Sequence, residues 1–596
     1  MERVADYIIR KINEIGVNKI FLITGRGILY LTDAVARNEN VKHVCTYHEQ
    51  GASYAAMAYA LAKGGPATCL VSTGCAATNA VTACLCAYQD NLPVIFLSGN
   101  NPLKENTRHT GVKIRTYGSQ EADIISVVQG ITKYSVMLEN MDEVVYEVEK
   151  ALFLAQEGRR GPVWIDVPLD VQNMRIDEKG QKHFTHPQND YLCDDVRICL
   201  NDEIERINRA ERPIILIGGG ARNAFEEVRI LSEKFGIPVA FSPSACDIYG
   251  SSNELSVGAV GSLGGSRAGN FCVQNADYIL AIGTKLCSQE TGSKESFARE
   301  AKVTVVDIDK NEHTKNGINI DKVIYADAKH FLQALLERKI KPASGAWTEK
   351  CKEWKKLFSL DNEQFSIELR EKNKLDIYSF SELLSKNLSD NATVITDAGF
   401  EELIVPATIR FKDTQRCLFP AAQGAMGYAI PAIIGAYEAG REDIACVVGD
   451  GSVMMNIQEL QTICAMRIPA KVFVINNNMY SVIRKRQRDL FRNRTIGNDP
   501  SDGVSQPNFR RIAEGFGIKY LRTSTRSEFI AEISGIMSAK ELMIIEVCTD
   551  ENQVYLHESY AVNDNKKLVR RPIEDMSPFL DRDIIKREMI IPTLEE

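Results

Sequence analysis

The sequence has 596 residues, and no uncharged apolar run in it approaches the roughly 18 residues that a membrane helix needs. Its opening stretch, MERVADYIIRKINEIG, spreads charge throughout, so it does not read as a secretory leader. Positive charge is not in excess. The net charge is −8 and the pI about 5.7, which gives no support for nucleic-acid binding. No low-complexity segment or short repeat is present. The fifteen cysteines include no CxxC pair, and their number is odd. Cys69, Cys446 and Cys548 sit inside apolar runs, so they read as buried free thiols of a reducing, cytoplasmic protein and not as a disulfide frame. The eight histidines show no HxxxH-type spacing, which leaves no histidine metal site.

What the sequence does contain is a series of short apolar runs that lead into glycine-containing turns. KIFLITG (19–25), ATCLVSTG (67–74), PVIFLSG (93–99) and PVWIDVP (162–168) form one group. PIILIGGG (213–220), YILAIGT (278–284) and VTVVDID (303–309) form a second. ATVITDAG (392–399), IACVVGDG (444–451), KVFVINNN (471–478) and LMIIEVCT (542–549) form a third. Amphipathic stretches of helical length, such as 141–157, lie between them. Strands alternating with helices predict parallel sheets covered on both faces. Polar stretches near 172–195 and 340–372 separate the groups. The prediction is therefore an α/β protein of three doubly wound parallel-sheet domains, at 1–172, 195–340 and 370–555, with a tail at 556–596.

The most informative stretch is GDGSVMMNIQELQTICAMRIPAKVFVINNN, from Gly449 to Asn478. A strand ends in Gly-Asp-Gly-Ser, a helix follows, and a second strand ends in asparagines. This crossover would set Asp450 and Asn477, 27 residues apart, at the carboxyl ends of adjacent parallel strands, where open α/β sheets bind ligands. Both side chains offer hard oxygen donors of the kind Mg²⁺ takes together with phosphate oxygens. Gly451 and Ser452 open a helix whose free N–H groups favour a phosphate. The spacing thus predicts a metal-bridged diphosphate.

The GDG…NN pattern resembles the diphosphate motif of thiamine-diphosphate enzymes. The resemblance implies Mg²⁺ held by Asp450, Asn477 and the main-chain carbonyl of Met479. It also implies a glutamate on the aminopyrimidine ring, which lets the exocyclic nitrogen remove the thiazolium C2 proton. The segment YHEQGASYAAMAYALAKGGPATCLVSTGCAATNAV (47–81) is similar to the family's first-domain motif, and Glu49 stands at the matching place. AAQGAMGYAIPAIIGA (421–436) resembles the loop that holds the cofactor bent, with Met426 under the bend and the Gly424 carbonyl facing the aminopyrimidine. TDAGFEE (396–402) matches the segment whose backbone lines the diphosphate, here Ala398, Gly399 and Phe400. Glu401 is an awkward neighbour for phosphate, and its side chain receives no role. In this family the glutamate and the metal motif come from different subunits, which implies a homodimer or homotetramer.

The resemblance covers almost the whole chain, and the acetolactate synthase-like branch matches best. HEQ (48–50), GSQE (118–121), ITKY (131–134), GPVWIDVP (161–168) and RPIEDMSPFL (571–580) carry it. It puts Gln120 in the substrate pocket near the thiazolium, as a catalytic residue beside Glu49. Departures are informative. The family's Gly-Pro-Gly is Gly74-Cys75-Ala76, and a lysine of the PKD segment is Leu169. The arginine-rich flavin segment is GTKLCSQETG (283–292), with Lys285 in place of the first arginine. That weakens the case for FAD, although GAVGSLGGSRAGN (258–270) keeps a glycine-rich turn.

Arg486 occupies a place that many synthases fill with tryptophan. Arg484, Lys485, Arg488, Arg492 and Arg494 surround it, six basic residues within eleven positions. A solvated helix face accounts for such a run. An electropositive rim at Arg484 and Arg486 for an anionic acceptor also accounts for it, because arginine binds phosphate bidentately. The expected reaction is decarboxylation of pyruvate or another 2-oxo acid, with transfer of the two-carbon unit to a carbonyl acceptor such as a phosphate- or nucleotide-linked ketosugar. Acetolactate synthesis with pyruvate as acceptor, simple 2-oxo acid decarboxylation, 2-hydroxyacyl cleavage and a non-catalytic cofactor-binding scaffold remain alternatives. His48 and His109 are candidate proton relays, each with a structural role as the commoner explanation.

Overall fold

Three six-stranded sheets, every strand pairing parallel, organise the chain. The computed structural model describes residues 1–187, 194–551, 553, 557–562 and 568–594. Part of the 172–195 linker and the start of the 556–596 tail therefore lie outside the described residues. The first sheet comprises β1 (Lys19–Leu22), β2 (Lys42–Cys45), β3 (Ala67–Val71), β4 (Val94–Asn100), β5 (Tyr134–Met137) and β6 (Val163–Pro168). The second comprises β7 (Pro213–Ile217), β8 (Val239–Phe241), β9 (Ser256–Ala259), β10 (Tyr278–Ile282), β11 (Lys302–Asp307) and β12 (Lys322–Tyr325). The third comprises β13 (Thr393–Thr396), β14 (Arg416–Leu418), β15 (Ile444–Gly449), β16 (Lys471–Asn476), β17 (Lys519–Thr523) and β18 (Met543–Cys548).

The first sheet runs β2-β1-β3-β4-β6-β5 and the third β14-β13-β15-β16-β18-β17. Position for position these are the same order, so the outer domains share one topology that their sequences do not reveal. The middle sheet runs β9-β8-β7-β10-β11-β12, the order of a dinucleotide-binding fold with its switch point between β7 and β10. Central strands such as Ala67–Val71 and Pro213–Ile217 are buried along their whole length. That is why they read as continuous apolar runs and not as alternating ones.

The outer domains meet through α1 (Glu49–Lys63) and α2 (Ala429–Glu438), which share one core with the first and third sheets. Small residues allow the approach. A Cβ at Gly435 would stand 2.0 Å from the Ala55 carbonyl oxygen, and the facing side of α1 is largely alanine. A second junction centres on Arg416, at the start of β14. Its Nε donates to Asp247 Oδ2 at 2.9 Å, and its Nη1 and Nη2 donate to the Ala62 and Leu61 carbonyls at 3.0 and 2.8 Å. Arg222 Nη2 donates to Asp247 Oδ1 at 2.8 Å, and the Cys417 N–H donates to Oδ2 at 3.0 Å. One guanidinium therefore fastens all three sheet domains. Burial opposes ionisation of Asp247, but Arg222 and Arg416 outweigh it and hold the carboxyl well below the usual range.

The described part of the tail packs on the middle domain. Asn270 Nδ2 donates to the Ile573 carbonyl at 2.9 Å, and Gln274 Nε2 donates to Glu574 at 2.6 Å. A hairpin of β19 (Tyr560–Val562) and β20 (Leu568–Arg570) then reaches the helix that follows β16. Among the described residues no helix is long and apolar enough to cross a membrane, and all fourteen described cysteines are free thiols.

Candidate functional site

β15 and β16 pair in parallel with Gly449 opposite Ile475, so Asp450 and Asn477 emerge side by side at one edge of the third sheet. The intervening crossover differs from the single helix expected. It holds α3 (Asp450–Val453) and α4 (Glu459–Ala465), broken at residues 454–458. The break is anchored by Asn456, whose Nδ2 donates to the Gly427 carbonyl at 2.8 Å and to Gln50 Oε1 at 2.9 Å. Those bonds tie the crossover to the 421–428 loop and to the first turn of α1.

Asp450 is 2% exposed, and its Oδ2 accepts from the Asn478 N–H at 2.8 Å. Burial pushes its carboxyl up to about 7 against the pull of neighbouring backbone N–H groups. Asn477 turns its amide nitrogen away, donating to Ser481 Oγ at 2.5 Å, and its Oδ1 accepts from the Met479 N–H at 3.3 Å. The donor set is thus a buried carboxylate oxygen, an amide oxygen and the nearby Met479 carbonyl. These are hard oxygen ligands that fit Mg²⁺, which binds through one or two carboxylates plus phosphate oxygens. A cation there would restore the ionisation that burial opposes in Asp450.

The surrounding loops are built for close approach. A Cβ at Gly451 would stand 2.0 Å from the Tyr480 ring. Gly399 has φ +96°, a conformation that favours glycine, and a Cβ there would meet Glu401 Oε2 at 2.5 Å. Ala398, Gly399 and Phe400 follow β13 and turn the chain into helix Phe400–Thr408. The Ser452 hydroxyl donates to Asp397 Oδ2 at 2.6 Å and accepts from the Gly427 N–H at 2.9 Å. Gly424 has φ +55° and would clash with Glu402 if it carried a Cβ, while Met426 is half-buried in the same loop.

Three acidic residues here received no role from the sequence. Asp397 is fully buried, its Oδ1 has no hydrogen-bond partner among the described residues, and burial pushes its carboxyl up to about 6. Burial pushes Glu401 up to about 8, with Asp397 and Asp450 adding to the effect. Protonated, the Glu401 carboxyl would donate a hydrogen bond to an anion; ionised, it would repel one. The third is Glu459, at the start of α4. Its carboxylate accepts from the Tyr47 and His48 N–H groups, both at 3.0 Å, and from Thr462 Oγ1 at 2.8 Å. No sequence signal marks these groups, because each depends on what the fold packs over it.

Glu49 is the first residue of α1. His48 caps that helix, its Nδ1 accepting from the Gln50 N–H at 3.1 Å, which gives His48 a structural task. The Glu49 carboxylate accepts from Asn79 Nδ2 at 2.9 Å, on the short helix Cys75–Asn79. Gln120, at φ +64°, lies over the other end of that helix, where a Cβ on Gly74 would stand 2.2 Å from the Gln120 carbonyl. The fold thus brings Glu49 and Gln120 to one short helix. Among the described residues the partner of the Glu49 carboxylate is Asn79, and no hydrogen bond joins that carboxylate to the Asp450–Asn477 site within the chain. His109 lies in the turn Thr107–His109, 3.7 Å from Glu139.

The basic stretch forms α5 (Ser481–Leu490). Its two singled-out arginines face different neighbours. Arg484 pairs with Asp499 at 3.2 Å, and its Nη1 lies 3.0 Å from Met479 Sδ. Arg486 stacks on Tyr560 of the tail, 5.1 Å from the ring centroid.

A cavity of about 440 Å³ opens at the switch point of the middle sheet and extends to Glu402, Ala421 and Ala422 of the third domain. Its walls include Gly220, Arg222, Lys285 and Arg159. Lys285 Nζ donates to the Gln89 carbonyl at 2.7 Å, Arg159 pairs with Asp309 and Glu312, and Arg222 pairs with Asp247.

Comparison with known proteins agrees with this architecture. Residues 2–126 match the thiamine pyrophosphate enzyme N-terminal TPP binding domain, residues 200–335 the central domain, and residues 397–547 the C-terminal TPP binding domain. Acetolactate synthase isozyme 1 large subunit of Escherichia coli (strain K12) is 30% identical, over 92% of this chain and 95% of its own length. Acetolactate synthase of Arthrospira platensis is 31% identical, over 89% and 91%. Acetolactate synthase 1, chloroplastic, of Nicotiana tabacum is 28% identical, over 91% and 81%. The chain belongs to the thiamine pyrophosphate enzymes and depends on thiamine diphosphate. Within that family it is acetolactate synthase-like.

Proposed function

We propose that this enzyme decarboxylates pyruvate or a related 2-oxo acid and transfers the two-carbon unit to an anionic carbonyl acceptor, a phosphate- or nucleotide-linked ketosugar. The observation that carries the acceptor is Arg486. It is a half-buried guanidinium on the helix that leaves the Asn477–Met479 segment, and it has no carboxylate partner among the described residues.

Asp450, Asn477 and the Met479 carbonyl would hold Mg²⁺. Ala398, Gly399, Phe400, Gly451 and Ser452 would line the diphosphate through their backbone. Gly424 and Met426 would support the bent cofactor, and Arg484 would steady Met479 from behind. When bound, thiamine diphosphate supplies the nucleophilic carbon and the electron sink. Glu49 would hold a proton at the aminopyrimidine ring, Gln120 would orient the donor, and Glu401 would donate to a phosphate oxygen.

The working enzyme would be a homodimer or homotetramer in which Glu49 of one copy meets Asp450 of another. Apolar side chains left open near these groups support that reading: Tyr47 is 63% exposed, and Met454 and Met455 are 42% and 49% exposed. The division into units 1–172, 195–340 and 370–555, with the tail at 556–596 closing the site, belongs to the same proposal. A cytoplasmic address rests on the free thiols.

The test is carbon dioxide release from labelled pyruvate with thiamine diphosphate and Mg²⁺, for wild type and Glu49→Gln, with and without fructose 6-phosphate. Release that rises with the phosphorylated sugar and disappears in the variant is expected. A second reading, with pyruvate as acceptor, is favoured by the names of the relatives. Acetolactate as the sole product, formed at the same rate with the phosphosugar present, would establish it instead.

A further inference from the structure

Tyr560 carries two guanidiniums. Arg486 lies 5.1 Å from its ring centroid and Arg570 lies 5.2 Å from it. The charges are therefore within about 10 Å of each other, roughly one screening length at 0.1 M salt. Each gains from the ring, but they repel one another.

The acidic groups nearby are already engaged. Lys485 takes Asp489 at 2.8 Å and Glu558 at 2.7 Å, and Arg484 takes Asp499. Among the described residues Arg486 has no hydrogen-bond partner. Arg570 has only neutral ones, the Gly292 and Ser288 carbonyls and Ser262 Oγ, at 3.1 to 3.3 Å. Those bonds fix Arg570 without cancelling its charge. Two cations on one ring, neither with a carboxylate partner among the described residues, form a place suited to an anion.

We propose that Arg486 and Arg570 form a clamp for a phosphate group carried by the acceptor, with Tyr560 as its floor. The proposal rests on the anionic-acceptor reading and names the residue that reading lacks. Arginine matches such a group because its planar fork donates two parallel hydrogen bonds to phosphate oxygens. The tail thereby supplies half of the acceptor site.

The test uses enzyme loaded with thiamine diphosphate and Mg²⁺, titrated calorimetrically with inorganic phosphate, fructose 6-phosphate and fructose. Wild type is expected to bind the two phosphate compounds and not the free sugar. Arg486→Gln and Arg570→Gln should each weaken phosphate binding about tenfold or more. Arg570→Lys should fall between, and Arg488→Gln should bind within about twofold of wild type. Near-ultraviolet circular dichroism of the bound cofactor establishes that each variant is folded and loaded. Binding of fructose 6-phosphate that Arg570→Gln leaves unchanged overturns the clamp and leaves the anionic acceptor standing. No binding of either phosphate compound by wild type overturns both.

Discussion

Truncating Glu459 tests whether the third domain positions the N-terminus of α1, and with it Glu49. Glu459 has no exposed surface, and its carboxylate holds the backbone N–H groups of Tyr47 and His48, the two residues before Glu49. Glu459→Ala leaves both donors without their acceptor, along with Thr462 Oγ1. A buried donor left unsatisfied costs about 1–3 kcal/mol. Tyr47 is largely open to water, so the low end applies to it, and the pair should cost about 2–4 kcal/mol. At about 1.4 kcal/mol per tenfold, the 47–48 segment would then open some 30- to 1,000-fold more often. Glu459→Gln keeps one oxygen acceptor and should cost about half as much. Urea unfolding reads the global loss, and amide hydrogen exchange at Tyr47 and His48 reads the local one. Exchange of the thiamine C2 proton reads the consequence, and it should slow in Glu459→Ala while cofactor affinity falls much less. Stability within about 0.5 kcal/mol of wild type, with unchanged protection at 47–48, would refute the reasoning.

Two further outcomes follow from buried carboxyls. Asp166, between Ser98 at 2.5 Å and Asn100 at 2.8 Å, is pushed up to about 7 by burial. A carboxyl raised in the folded state loses its stabilising share as pH rises from its unfolded value through the folded one, here from about 4 to 7, with a ceiling of about 4 kcal/mol. Asp166→Asn should remove that slope and melt above wild type at pH 8; parallel pH dependence of Tm in the two proteins would contradict this. Asp247 shifts the other way. Its contribution is fully present above about pH 4 and is lost only in stronger acid, as pH falls toward the depressed folded value. Asp247→Ala leaves the guanidiniums of Arg222 and Arg416 facing each other and should cost about 3–5 kcal/mol at pH 7, measured by urea unfolding. A loss under about 1 kcal/mol would mean that water reaches the triad.

The central strands were legible because burial on both faces writes them as unbroken apolar runs, as in PIILI and YILAI. Edge strands were not. Lys42–Cys45 exposes three of its four residues, and Arg416–Leu418 is only three residues long. The spacing of Asp450 and Asn477 could be read because a crossover of that length returns to the neighbouring strand. The single helix expected between them could not survive Asn456, whose amide is drawn to Gly427 and Gln50, contacts that only the fold creates. In the basic run, charge was visible but facing was not. Arg484 turns toward Met479 and Arg486 toward a tyrosine more than seventy residues away.

The Arg416 junction limits how this architecture can be recombined. A chimera that exchanges the third domain brings Arg416 but leaves behind Asp247, Arg222 and the carbonyls of Leu61 and Ala62. A donor lacking an arginine at that position leaves Asp247 with Arg222 as its only cationic partner among the described residues and the Leu61 and Ala62 carbonyls without their donor. Crossovers placed at the linkers, where sequence alone would put them, would divide a five-point contact that behaves as one part. Successful exchanges should carry residues from all three domains together or replace the whole contact with apolar side chains of matching volume.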